Sequence, residues 1–253
     1  MAYVNFITDD HFRYCTQHVF DSYKKADDLL SSTRNAIGKN DIFKSKLFSN
    51  KIDPFKMAFD IKVTSLNDWV QQEIYRQLNK SVEQTLGEFH QKILGGVDGW
   101  TDLGTGQSVD LVNDEETIYV ELKNKYNTCS ADALNAVRHK LEDITSQPNR
   151  PTAYWAYIIA NTVKRSGNEV WIKKNFNTIE AVKKIWGDNV YELVTGNAND
   201  LFNLYKALPE VINEVKTGNN EDIKVIIDTI ISEIEPHLST ITEQIYDIVF
   251  IDD

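Results

Sequence analysis

Residues 108–125 read SVDLVNDEETIYVELKNK, and the predicted fold is built around this stretch. Residues 109–112 predict the end of one β-strand, and the alternation of apolar and polar residues over 117–123 predicts a second strand. The residues between them, 113–116, are Asn, Asp, Glu and Glu, which favour a turn. The stretch therefore predicts a β-hairpin.

The second strand of this hairpin separates charged from apolar side chains. Glu121 and Lys123 are two residues apart, so on a strand they share one face, whereas Val120 and Leu122 point to the other face and into a core. An acid and a base are therefore predicted to stand side by side above an apolar layer.

The first strand contributes a second carboxylate to the same face. A symmetric turn on residues 113–116 pairs Asp110 with Tyr119, which predicts that Asp110 lies diagonal to Glu121 at roughly 7–8 Å. Two carboxylates this close repel each other, and a hard divalent cation relieves the repulsion by taking an oxygen from each.

This arrangement suits metal-dependent hydrolysis of a phosphodiester. Mg²⁺ keeps several waters and binds through one or two carboxylates together with a substrate phosphate. The backbone carbonyl of Leu122 is a further candidate oxygen ligand. Lys123 is placed to orient or help deprotonate the attacking water and to offset charge that develops on the phosphate.

The motif Asp110, ten residues, Glu121-Leu122-Lys123 resembles the signature of PD-(D/E)xK nucleases, with Val109 where proline is common. The following NKYNT at 124–128 resembles type II restriction endonucleases, and YELVTG at 191–196 resembles their C-terminal half. The resemblance is closest to the group that cuts interrupted GG…CC palindromes such as GGNCC or GGWCC. It extends over roughly residues 65–209.

The resemblance implies a type II site-specific deoxyribonuclease that hydrolyses double-stranded DNA at a short palindromic, GGNCC-like site with Mg²⁺ as cofactor. It assigns Asp110, Glu121 and Lys123 as catalytic residues, and Asp110, Glu121 and Leu122 as metal ligands. A palindromic site favours a two-fold homodimer with one active site for each strand.

The helix before the hairpin and the polar segments after it supply secondary site residues, the acids by resemblance and the DNA contacts by their position. Helices before the hairpin in this superfamily often donate an extra acidic residue, and Glu88 and Glu73 are candidates on the helix predicted over 65–94. The candidate DNA contacts are Lys125, Asn127 and Thr128 after the hairpin, and Lys164, Arg165 and Lys173 around a later strand. For each of these residues a solvated surface charge is the alternative interpretation.

The remaining pattern predicts an α/β fold with a mixed central sheet flanked by helices, and the resemblance implies that the hairpin is the catalytic hairpin of a PD-(D/E)xK nuclease core. Further predicted elements are a helix over 131–145 capped by Ser130, a buried strand over 152–160, a strand around 170–172, a helix over 179–186, a strand over 191–194, a helix over 200–208 ending near Pro209, and acidic helices over 222–234 and 238–249. The predicted parts are an N-terminal helical region (1–64), the nuclease core (65–208) and an acidic helical C-terminal segment (209–253).

Charge does not exclude DNA binding. The net charge is −11 over 253 residues, but residues 209–253 contain eleven acidic and two basic residues and so carry −9 of it. The part that contains the hairpin is therefore nearly balanced and can present a basic groove.

Other features narrow the class of protein. No run of 18 apolar residues is present and the N-terminus is acidic, so we expect a cytoplasmic protein without a membrane partner. The glycine-rich stretch 95–106 lacks the lysine of a P-loop, so no nucleotide cofactor is expected. Two alternatives stay open: another PD-(D/E)xK nuclease for repair or junction resolution, or a non-catalytic helical binding or assembly protein.

Overall fold

The computed structural model describes residues 2–48, 52–104, 106–161, 163–216, 223–237, 239–241 and 244. The chain divides into two compact units, one of residues 1–18 and 85–215 and the other of residues 19–84 and 216–253. The first unit contains a sheet and is called the sheet unit below, and the second is called the helical unit. The functional division at residues 64 and 208 stays a prediction, and the boundaries of the compact units fall elsewhere.

The protein is a mixed α/β fold. In the part of the chain that the structure describes, six strands form one sheet in the order β1-β2-β3-β4-β6-β5. The strands are β1 (Trp100–Asp102), β2 (Leu111–Asn113), β3 (Ile118–Lys125), β4 (Thr152–Ile159), β5 (Gly167–Val170) and β6 (Val182–Trp186). β3, β4 and β6 run parallel, whereas β1–β2, β2–β3 and β5–β6 are antiparallel pairs.

The described helices cover both units. They are α1 (Asp9–Asp21), α2 (Lys25–Gly38), α3 (Pro54–Val63), α4 (Leu66–Gly95), α5 (Ala131–Thr145), α6 (Asp188–Thr195), α7 (Asp200–Lys216) and α8 (Ile223–Ile234). No helix in the described ranges has an apolar stretch long enough to cross a membrane. The predicted helix over 238–249 lies largely outside the described residues.

The predicted hairpin is present with a different register. Leu111 pairs with Val120 and Val112 with Tyr119, two residues away from the predicted alignment. The turn is longer because Glu116 adopts a left-handed conformation at φ 53° and the side chain of Asn113 accepts hydrogen bonds from the main-chain N–H of residues 117 and 118. Since the shift is even, every side chain keeps its predicted face.

The unit after the hairpin matches the prediction. Ser130 Oγ accepts a hydrogen bond from Ala133 N at 3.2 Å and caps α5, which returns the chain to β4 alongside β3. β3, α5 and β4 thus form a parallel crossover unit. One face of the sheet packs against α5 in a core that contains Val109, Val137, Leu141, Ile144, Ala153, Trp155, Tyr157, Trp171, Val182 and Trp186.

Three short elements were predicted wrongly. Residues 182–186 form strand β6 and not the end of a helix, and residues 191–194 lie in helix α6 and not in a strand. Helix α7 continues through Pro209 to Lys216. Strand β1, inside the glycine-rich stretch, was not predicted, because its three residues carry no readable alternation.

The helical unit has its own core. Leu29, Leu47, Met57, Ile74 and Ile230 are among its buried residues. Ser65 Oγ accepts a hydrogen bond from Asp68 N at 3.1 Å, as the predicted cap of α4 requires.

Candidate active site

Asp110 and Glu121 come together on the β2–β3 hairpin, where both carboxylates lie within 4 Å of Lys123 Nζ. Asp110 directly precedes β2, and its N donates to Val120 O at 3.1 Å, so it is held against the middle of β3. The Asp110 carboxylate is fixed in turn, since its Oδ2 accepts a hydrogen bond from Leu122 N at 2.6 Å. The two predicted acids are therefore brought together.

Glu121 lies between two ammonium groups. Lys123 Nζ donates to Oε1 at 2.7 Å, and Lys140 Nζ donates to Oε2 at 2.8 Å. The Glu121 side chain is only 8% exposed, so both bonds are shielded from water. Lys123 Nζ also lies 3.8 Å from Asp110 Oδ2, which places this one ammonium near both carboxylates.

The two carboxylates have opposite pKa shifts. Burial, followed by the negative charge of Glu121, raises the pKa of Asp110 above its ordinary value. Burial also acts to raise the pKa of Glu121, but the hydrogen bonds and charges of Lys123 and Lys140 outweigh it and lower that pKa. Burial acts to lower the pKa of Lys123, yet its bond to Glu121 and the charges around it raise the pKa overall. Glu121 is thus held ionised while Asp110 experiences the repulsion.

The donor set fits a hard divalent cation. Burial and then the charge of Glu121 raise the pKa of Asp110, and a bound cation would offset both effects; carboxylate oxygens are also the ligands it prefers. Within the described residues no cluster of three or more His, Cys, Asp or Glu side chains is found. The protein offers two carboxylates here, which leaves ligand positions for a main-chain carbonyl, water and phosphate, as Mg²⁺ tolerates.

The predicted auxiliary acids have other partners. Glu88 Oε2 lies 3.2 Å from His18 Nε2 in the sheet unit. Glu73 belongs to the helical unit, where it is 8% exposed and binds Arg76 and Gln77. Neither assignment as an auxiliary metal acid gains support from these contacts.

The predicted DNA contacts lie at the two opposite ends of the strands. Lys125, Asn127 and Thr128 are exposed at and after the end of β3, and Lys164 and Arg165 are exposed after β4. Because β3 and β4 are parallel, these two groups lie at the same end of the sheet, where both strands finish. Lys173 follows β5, which runs antiparallel to β6 and therefore finishes at the opposite end of the sheet. The structure does not bring Lys173 to this group.

One residue of α5, Lys140, was missed at the site. The polar face of this helix carries Arg138, His139 and Lys140, a pattern typical of a solvated surface, but only His139 is largely exposed. Lys140 binds Glu121, and Arg138 is fully buried beside the rings of Trp171 and Phe176. The position of Lys140 next to the buried Leu141 was the one available signal, because it places the lysine at the margin of the packed stripe.

Comparison with known proteins finds restriction endonucleases. A sequence-family model described as Eco47II restriction endonuclease matches residues 4–217. The type II restriction enzyme Eco47II of Escherichia coli is 32% identical over 212 residues, which cover 77% of this chain and 84% of that protein. The type II restriction enzyme Sau96I of Staphylococcus aureus is 28% identical over 225 residues, which cover 84% of this chain and 80% of that protein.

Proposed function

This chain belongs to the Eco47II restriction endonuclease family and is a type II restriction endonuclease, and we propose that Asp110, Glu121 and Lys123 form its catalytic site. The reaction is Mg²⁺-dependent hydrolysis of phosphodiester bonds in double-stranded DNA. Asp110, Glu121 and the main-chain carbonyl of Leu122 are the proposed metal ligands, in the manner of a PD-(D/E)xK nuclease hairpin.

One observation carries this assignment: the carboxylates of Asp110 and Glu121 lie on one hairpin, and Lys123 Nζ is within 4 Å of both. A surface ion pair does not require a second carboxylate at the same ammonium, nor the near-complete burial of Glu121. Charged groups gathered and desolvated in this way are typical of catalytic sites.

The residues of the hairpin divide the work of phosphodiester hydrolysis. When bound, the divalent cation supplies Lewis-acid stabilisation of charge on the phosphate. Asp110, oriented by the Leu122 N–H, and Glu121, oriented by its lysines, hold their oxygens in a fixed direction. Lys123 orients the attacking water and offsets the negative charge that grows on the phosphate oxygens.

The DNA backbone is proposed to bind at the end of the sheet where β3 and β4 finish. Lys125, Asn127, Thr128, Lys164 and Arg165 are the proposed backbone contacts there, and phosphate contacts of this kind position the duplex without reading its sequence. The recognised site is proposed to be a short GGNCC-like palindrome, on the resemblance of the sequence. Cutting both strands of such a palindrome is proposed to require a two-fold homodimer.

Digestion of unmethylated phage DNA tests the assignment. We expect discrete fragments from the wild-type enzyme with Mg²⁺, and intact DNA with EDTA or with Asp110→Ala or Lys123→Ala. Asp143→Asn, which removes an exposed acid from α5, is the matched control and should cut like the wild type. Sequencing the fragment ends gives the recognition site.

Other outcomes separate the competing interpretations. A smear that disappears in both variants would retain the metal-dependent chemistry and replace site-specific cutting with a structure-selective or non-specific nuclease. Full cleavage by Asp110→Ala and Lys123→Ala would remove the catalytic assignment from this hairpin.

A further inference from the structure

Lys140 reaches the proposed site from outside the catalytic hairpin. It lies on α5, nineteen residues after Glu121 in the chain, and its Nζ donates to Glu121 Oε2 at 2.8 Å. Lys123, by contrast, lies on the same strand as Glu121 and donates to Oε1. The two oxygens of the buried Glu121 carboxylate are thus bound by one ammonium group from β3 and one from α5.

The two lysines are not equivalent with respect to Asp110. Lys123 Nζ is 2.7 Å from Glu121 Oε1 and 3.8 Å from Asp110 Oδ2, so it stands close to both acids. A cation shared by Asp110 and Glu121 competes with this ammonium, because both charges seek the same oxygen and repel each other. Lys140 contacts the other oxygen, where its bond is compatible with that cation.

Resting on the proposed function, we propose that Lys140 is a positioning residue for the reaction. It holds Glu121 through Oε2, so that Oε1 is the oxygen offered to the divalent cation and Lys123 is the ammonium released towards the scissile phosphate. Partners of this kind fix the direction of a metal-binding carboxylate without touching the substrate.

The packing of α5 makes Lys140 a rigid support. Val137, Leu141 and Ile144 on the same helix are buried in the core against the sheet. That core also contains Trp155, which pairs with Glu121 across β3 and β4. Because the helix and the strand are anchored in one core, the backbone on each side of the Lys140–Glu121 bond is fixed.

Metal binding by the DNA-free enzyme distinguishes a positioning role of Lys140 from a purely electrostatic effect of its charge. Lys123→Met and Lys140→Met each remove one ammonium group that binds the Glu121 carboxylate. Each variant therefore serves as the electrostatic control for the other. The probe is Mn²⁺, which accepts the same oxygen ligands, and the free ion is measured by electron paramagnetic resonance. We expect Lys123→Met to bind Mn²⁺ about tenfold more tightly than the wild type, whereas Lys140→Met shows no gain or binds more weakly by up to about tenfold.

Cleavage kinetics provide the second measurement. We expect Lys140→Met to lower kcat by about 10–100-fold while KM for DNA stays close to the wild-type value, because the substrate is not contacted. Lys140→Arg retains a charged donor and should restore most of kcat. Lys206→Met, an exposed lysine of α7, is the control for loss of charge and should change neither quantity.

The outcomes distinguish this inference from the proposed function. Mn²⁺ binding tightened by Lys140→Met as much as by Lys123→Met, or wild-type kcat in Lys140→Met, would overturn the positioning role alone. Wild-type cleavage by Lys123→Met would overturn the catalytic site itself. If Lys140→Met does not fold, Lys140→Gln replaces it in the test, because glutamine keeps an uncharged hydrogen-bond donor. Wild-type Mn²⁺ affinity in Lys140→Gln would support the positioning role. A gain in affinity of about tenfold would refute it.

Discussion

Asp110 accepts, through Oδ2, a 2.6 Å hydrogen bond from the main-chain N–H of Leu122 on the neighbouring strand. This bond uses one carboxylate oxygen and fixes the side chain, while burial and the charge of Glu121 disfavour its ionised form, as the raised pKa of Asp110 records. The acid is therefore held in place at a cost to the stability of the fold.

Replacing Asp110 with asparagine should separate activity from stability. Asp110→Asn retains an oxygen for the Leu122 N–H and removes the repulsion with Glu121. We expect cleavage to fall by about 10²-fold or more, because a charged ligand that stabilises the transition state is lost. Thermal unfolding should give a melting temperature equal to or above that of the wild type. A lower melting temperature would contradict this account of the acid.

Arg138 provides a test of buried charge. It is fully buried, Nη2 donates to Asn177 O at 2.8 Å, and Nε and Nη1 lack a partner among the described atoms. Arg138→Met keeps the volume and removes these unsatisfied donors. It also removes the 3.4 Å ion pair with Glu142 Oε1, but Glu142 is partly exposed and can be hydrated, so we expect an unfolding free energy within about 1 kcal/mol of the wild type. Arg138→Ala leaves a cavity and should cost about 2–4 kcal/mol in denaturant titrations.

If both Arg138 variants destabilise equally, the charge itself and not the packing is the stabilising element. Arg138→Lys separates the two further, because lysine retains the charge but cannot stack a planar group on the rings of Trp171 and Phe176.

His90 should make the stability of the sheet unit sensitive to acid. Its Nδ1 is hydrogen-bonded to Tyr191 Oη at 2.7 Å, and burial lowers its pKa from 6.5 to about 4. The unfolded chain therefore takes up this proton at higher pH than the folded chain, so stability is complete above pH 6.5 and is lost as pH falls towards about 4.

The loss that His90 causes should be at most about 3 kcal/mol, and less to the extent that water reaches the residue, whose burial is intermediate. Urea titrations at pH 7 and pH 5 measure the part of this loss that occurs above pH 5, which is at most about 2 kcal/mol. His90→Asn retains a polar partner for Tyr191 without a titrating ring, and we expect it to lose less stability between the two pH values than the wild type. Equal losses would remove His90 as the cause.

Gly187 supports the loop that carries Arg165. Its φ is 64°, and a Cβ at this position would lie 2.1 Å from Arg165 O. Gly187→Ala should lower the unfolding free energy by about 2–3 kcal/mol and weaken DNA binding, since the loop must move. Gly196→Ala is the matched control: its φ is 80°, but a Cβ there meets no atom within 4 Å.

Binding of a labelled duplex in the presence of EDTA, followed by fluorescence anisotropy, measures the effect of Gly187→Ala on DNA affinity. We expect Gly196→Ala to show the backbone strain of about 1 kcal/mol without a change in affinity. Equal affinities for the two variants would show that the Arg165 loop does not contact DNA.

The central part of the fold was predictable because its signals are long and agree with one another. β3 and β4 have eight residues each, α4 has thirty, and the caps at Ser65 and Ser130 mark where helices begin. Alternation and helical periodicity are distinct over such lengths, so packing and local preference favour the same structure.

Short segments gave no such agreement. In VKKIW at 182–186 the apolar residues are spaced three and four apart, as on a helix, yet the segment is strand β6 between β4 and β5. Its conformation is decided by its two neighbouring strands, which are distant in sequence. The same limit explains α6, where four apolar-rich residues suited either structure.

The proposed site was predictable for its sequence-local residues alone. Asp110, Glu121 and Lys123 lie on one hairpin, so strand geometry alone brings them together. Lys140 arrives on α5, and the direction in which a helix presents one side chain depends on its tertiary packing. A pattern of apolar residues defines the buried stripe but does not say which polar residue at its margin meets the site.

The hairpin also limits how this enzyme can vary in evolution. Its turn is two residues longer than the sequence suggested, and Asp110 still meets Glu121, because strand side chains repeat every second residue. A shift of two residues in the pairing of β2 with β3 therefore keeps the charged side chains on one face. A shift of one residue turns Asp110 into the apolar layer, unless a bulge restores the phase. The pairing of these two strands in relatives should accordingly differ only by even steps.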